Sequence, residues 1–117
     1  MKNKVLVFGL DGCTFDLLDP WMEKGFLPNL KKIKDGGTTG RLRSTYPPVP
    51  GPAWVSFMTG KNPGKHSIYE FLVRKPGSYG ELPVNADNRD GQTLWEILSA
   101  QGHQVAVLNV PMTYPPD

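Results

Sequence analysis

No segment constrains this chain more than Tyr46-Pro47-Pro48-Val49-Pro50-Gly51-Pro52. Its four prolines remove four backbone donors and hold four φ angles at about −65°, so this stretch is not expected to form regular structure. A short helix is expected directly afterwards, over Ala53 to Thr59, with Pro52 at its first position and Gly60 as its stop. Trp54, Phe57 and Met58 fall at i, i+3 and i+4 and give that helix an apolar face.

Towards the two ends lie continuous apolar runs, Val5-Leu6-Val7-Phe8 closed by Gly9, and Val105-Ala106-Val107-Leu108. Each predicts a strand buried on both faces, as in a parallel sheet. Between them, Leu17, Leu18, Trp21 and Met22 predict a helix over Phe15 to Lys24, kinked or split at Pro20 and stopped by Gly25. Leu27, Leu30 and Ile33 predict a second short helix, with Pro28 in its first turn and Gly36-Gly37 past its end. Thr39 to Thr45 is expected to be a strand with Leu42 inward and Arg41 and Arg43 outward. Residues 61–90 read as loop around one apolar patch, Ile68 to Val73. Asp90 is expected to cap a helix from Gln92 to Gln101, where Leu94, Ile97 and Leu98 share a face and Gly102 ends the pattern.

Strand, helices, strand is the order of a βαβ unit, so the fold class is α/β with a mostly parallel sheet. One strand pair leaves sheet edges and apolar faces open. Residues 1–117 are therefore expected to be the N-terminal segment of a single, longer α/β domain, able to self-associate through its uncovered edges.

Charge narrows the partners. Thirteen basic and 11 acidic side chains leave a net charge of +2, which gives no electrostatic case for nucleic acid. The densest basic run, Lys31, Lys32 and Lys34 with Arg41 and Arg43, is read as a solvated face. No stretch approaches the roughly twenty apolar residues of a membrane span, and the N-terminal run is too short for a signal peptide. A cytoplasmic, reducing location is the expectation. Cys13 is the only cysteine, which excludes an intrachain disulfide and a cysteine metal cluster.

Asp11 follows the first apolar run, at the sheet edge where open α/β folds bind ligands. Such a carboxylate can ligate a divalent cation, and the flanking Gly9 and Gly12 allow close approach; it can equally cap the next helix. The stretch from Val49 to His66 is the second candidate, since a loop entering a helix can present N–H groups to an anion. It can also be no more than a helix start. His66 is expected either to touch an anion or to cap a turn, and His103 to be structural. Two isolated imidazoles do not make a zinc site. Asp16, Asp19 and Glu23 are read as a solvated face.

Taken in order, Val5-Leu6-Val7-Phe8-Gly9-Leu10-Asp11-Gly12, Leu27-Pro28-Asn29-Leu30, and Pro52-Ala53-Trp54 through Thr59-Gly60 with Pro63 and His66 resemble a known family. It is the type I phosphodiesterase/nucleotide pyrophosphatase family of the alkaline phosphatase superfamily. The likeness closes with Val110-Pro111-Met112-Thr113-Tyr114-Pro115-Pro116 and covers almost the whole chain. It implies an α/β/α sandwich, and metal-dependent hydrolysis of a small-molecule phosphoester by two divalent ions, commonly zinc or else manganese. It also implies Asp11 as a metal ligand, with substrate-facing backbone at Gly12, Gly51 and Ala53.

The family's nucleophile, a Thr or Ser, stands two residues before the proline of the Pro-Ala-Trp helix start. That position is Pro50, which has no hydroxyl. Ser44, Thr45, Ser56 and Thr59 do not match it, so no residue is assigned as catalytic. The other family metal ligands come from later sequence, so this chain alone is expected to be inactive. A non-catalytic binding or assembly relative is the alternative. A further alternative keeps catalysis with metal-bound hydroxide acting directly on the substrate, which needs no side-chain nucleophile.

Overall fold

A computed structural model describes residues 4–116. The chain divides into two compact units, Met1–Arg43 and Ser44–Asp117.

The first unit carries two helices, α1 (Phe15–Glu23) and α2 (Pro28–Gly36). Thr14 caps α1, and its carbonyl accepts from the N–H groups of Leu17 and Leu18. Pro20 does not split the helix, which runs on to Glu23. The missing donor would have served the carbonyl of Asp16, which lies in the exposed first turn within reach of water. Gly25 then closes α1 as expected, at φ 77°. Its N–H bonds the Met22 carbonyl while that of Phe26 bonds Trp21, the paired pattern of a Schellman cap. Helix α2 begins with Pro28 as the sequence predicts and runs through Gly36, one residue further than expected, with Gly37 as its C-cap. Lys34 Nζ joins the two helices by lying 2.6 Å from Asp19 Oδ1 and 5.4 Å from the Phe15 ring centroid. Of the expected α1 stripe only Met22 is buried; Leu17 and Trp21 are about half exposed.

The second unit holds α3 (Pro50–Thr59), α4 (Pro63–His66), β1 (Leu72–Arg74), β2 (Glu81–Pro83), a 3-10 turn (Ala86–Asn88) and α5 (Leu94–Ala100). Its core is Val55, Met58 and Ile68, with Trp54, Val84, Trp95, Val110 and Met112 packed against it. Burying each of the three central side chains contributes about 1.5–3 kcal/mol of transfer free energy. The apolar patch after α4 becomes an antiparallel hairpin in which Leu72 pairs with Pro83, Val73 with Leu82 and Arg74 with Glu81.

Three helix details differ from expectation. Helix α3 starts at Pro50 rather than Ala53, so part of the proline segment is helical. The first N–H groups of a helix have no intrahelical acceptor, and prolines at its first and third positions therefore cost it no hydrogen bond. Helix α5 is capped by Thr93, not Asp90. Thr93 Oγ1 accepts from the N–H of Glu96, and the Glu96 carboxylate accepts from the N–H of Thr93, a reciprocal capping box. Its far end is a second Schellman cap, with Gly102 N–H on Ser99 and His103 N–H on Leu98. Last, His66 lies in α4 rather than in a loop.

The one sheet among the described residues is the β1–β2 pair. The parallel sheet expected from 5–8 and 105–108 is not among the observed elements, nor is a strand over 39–45. Val5, Leu6, Val7 and Phe8 are exposed, and so is Leu108. A buried parallel strand needs a hydrogen-bonded neighbour and helices over its faces, and these runs belong to no ladder.

Candidate functional site

The start of α3 holds three of the positions singled out in the sequence. Pro50 is its first residue and follows Val49, whose extended backbone (φ −116°, ψ 153°) leads into the helix. Gly51 is buried, and a Cβ there would stand 3.3 Å from Met112 Cε and 3.4 Å from the Glu70 carbonyl oxygen. The residue is small because backbone and a core methionine pass close by. Ala53 is half-buried and its N–H bonds the Val49 carbonyl at 3.2 Å. With Pro50 and Pro52 lacking donors, Gly51 supplies the one N–H of the first turn without an intrahelical acceptor.

Asp11 and Gly12 lie in an exposed turn of the first unit, with Gly12 at φ 64° and open space around its Cα. Among the described residues no group of three His, Cys, Asp or Glu side chains converges to hold a metal ion. A divalent centre needs several converging donors, so the residues present do not by themselves fit the ions the resemblance implies.

One turn further along α3 lies a feature that sequence reading missed. Ser56 Oγ is 2.9 Å from Nε2 of His66, and the N–H of Ile68 donates to His66 Nδ1 at 3.2 Å. His66 is 0% exposed. By accepting from the Ile68 N–H the ring caps the turn that follows α4, one of its two expected roles, and it does so as a core imidazole held between α3 and the chain after α4. Burial is the main cause that pushes its pKa below 6.5. Hydrogen bonding with its own carbonyl and that of Pro52 acts upward, and the charge of Lys61 downward.

The ring is therefore neutral at pH 7. Since Nδ1 accepts from Ile68, the proton sits on Nε2 and the ring donates to Ser56. In this tautomer the ring is a donor to Ser56 rather than a base on it. Ser56 also lines a cavity of about 600 Å³ with Thr45, Tyr46, Lys61 and Asn62. No local pattern signals this pair: Ser56 sits on a helix, His66 ten residues on, and only the turn through α4 brings them together.

A family model for type I phosphodiesterase / nucleotide pyrophosphatase matches residues 5–117. The chain belongs to that family. No curated protein and no solved structure matches it. Family membership puts weight on the residue at position 50. In this phosphodiesterase-family chain it is the first residue of a well-formed helix, and it carries no hydroxyl. The two positions that the resemblance singles out, Asp11 and Pro50, lie in different units of the chain.

No helix among the described residues is long and apolar enough to cross a membrane.

Proposed function

We propose that this chain is part of a hydrolase of small-molecule phosphoesters, seated in an α/β/α sandwich with a mostly parallel sheet. The observation that carries the reading is the family match across residues 5–117. Asp11 would be one ligand of a pair of divalent ions, zinc or manganese, with further donors from outside residues 1–117. When bound, such ions supply charge stabilisation for the phosphoryl oxygens. Pro50 offers no nucleophile, so water rather than a side chain at that position attacks phosphorus.

The absence of a hydroxyl at the head of α3 favours a second reading, a relative that binds or assembles without catalysis. The missing N–H of Pro50 supports it too, because one amide fewer remains at that helix start to face developing charge.

Hydrolysis of bis(p-nitrophenyl) phosphate with added zinc or manganese tests the proposal. Residues 1–117 alone are expected to give no turnover. A longer protein containing them is expected to turn the ester over and to lose that activity on Asp11→Ala. Robust turnover by residues 1–117 would refute the shared metal centre. A silent longer protein that still binds metal would select the non-catalytic reading.

A further inference from the structure

The cavity beside α3 has no part in the hydrolytic reading, yet its chemistry points one way. It is an open groove of about 600 Å³, none of its lining residues is acidic, and its one formal charge is that of Lys61. That side chain crosses Gly91, where a Cβ would fall 2.7 Å from both Cε and Nζ. Lys61 makes no ion pair among the described residues. Asn62 heads α4 without bonding its backbone, and its amide has no side-chain partner among the described residues either.

Ser56 adds a hydroxyl of defined polarity. A helical serine commonly turns back to the carbonyl four residues earlier, as Thr59 does to Val55 at 2.7 Å. Ser56 instead accepts from the protonated Nε2 of His66, whose other nitrogen is held by Ile68. With Nε2 as the donor, the Ser56 proton is not used on the ring. The groove thus combines a cation, a hydroxyl and an amide, with no carboxylate to repel negative charge.

We propose that this cavity binds a small oxyanion of the phosphate or sulfate type, held by Lys61 Nζ, the Ser56 hydroxyl and the Asn62 amide. Charge-assisted hydrogen bonds from these groups match such an anion's acceptor oxygens. The site stands whether or not the protein hydrolyses phosphoesters, because binding is read without turnover.

The test is a titration of the 117-residue chain with inorganic phosphate at constant ionic strength, against chloride, followed by backbone amide shifts. Saturable shifts confined to residues around Ser56, Lys61 and Asn62 are expected. Lys61→Gln should weaken binding by about tenfold or more. Ser56→Ala should weaken it as well, but leaves the buried Nε2–H of His66 unsatisfied and can unfold the chain, so Lys61→Gln is the deciding variant. Running phenyl phosphate in parallel separates a free anion from the phosphoryl end of an organic molecule, since the latter gains contact with Tyr46; preference for either supports the site. A response no greater than that to chloride, or equal affinity in Lys61→Gln, would overturn it.

Discussion

Nε2 of His66 lies 2.9 Å from Ser56 Oγ, and this bond ties α4 to the middle of α3 inside the core of the second unit. Because burial depresses the imidazole's pKa, the contact makes stability depend on pH. The folded ring titrates below 6.5 and the unfolded one near it, so between the two values the unfolded chain binds more protons. Stability therefore rises with pH through that window. The contribution is fully present above 6.5 and is lost as pH falls toward the folded value. Urea midpoints at about pH 7.5 and pH 5.5 check this, using His66→Gln to remove the titrating group. The gap between wild type and variant should narrow on acidification; a constant gap would show that His66 is not the source.

The helix cap on α5 gives a second expectation. Thr93 is 0% exposed and shares two reciprocal contacts with Glu96. Replacing it with Ala removes the side-chain acceptor for the Glu96 N–H and leaves a small void. A loss of about 1–2 kcal/mol is expected, whereas Thr93→Ser should recover most of it because the hydroxyl is what caps. Thermal or denaturant unfolding of the two variants distinguishes capping from packing. Equal losses would assign the effect to the missing methyl.

Gly51 supports a third, through close packing. A Cβ at this position already meets Met112 Cε at 3.3 Å and the Glu70 carbonyl oxygen at 3.4 Å, and the second of these is backbone. Gly51→Val is expected to destabilise by about 1–3 kcal/mol through overpacking. Pairing it with Met112→Ala should return part of that loss if the methionine carries the clash. Additive effects of the two changes would instead point to the Glu70 backbone.

Local signals were legible in the sequence wherever one residue's chemistry decides the geometry. Gly25 and Gly102 stop their helices because both take a left-handed φ, and Pro28 starts α2 because its missing donor has no partner there anyway. The cap of α5 was misread because Asp90 and Thr93 are both competent caps, and only Thr93 has a glutamate three residues on. The proline segment reads as irregular up to Pro52 at the helix start, yet the helix begins at Pro50, because a helix's first turn tolerates prolines that its interior does not. The apolar runs at 5–8 and 105–108 specify a preference for burial, but a strand exists only with a hydrogen-bonded neighbour, and that is not a property of the run itself. His66 was invisible as a clamp because the contact needs α4 to fold the chain back onto α3.

At the head of α3, position 50 separates the two functional readings by experiment. Pro50 occupies the first helical position, where its ring is pre-set for the helix and its missing donor is not needed. Pro50→Ser removes that rigidity at a cost of about 0.4–1 kcal/mol, so the variant is expected to fold. Within a longer, metal-competent protein it adds a hydroxyl where the family carries its nucleophile. With a phosphate monoester as substrate, attack of that oxygen on phosphorus would form a new P–O bond and expel the alcohol with the hydroxyl's proton, leaving phosphoserine for water to cleave. Mass spectrometry of protein quenched during turnover should then find phosphate on residue 50 of the variant and none on wild type. Wild-type turnover without a phosphoprotein supports direct attack by water. Turnover that appears only in Pro50→Ser assigns the natural protein to binding or assembly. Phosphate covalently held by wild type at another hydroxyl would contradict both.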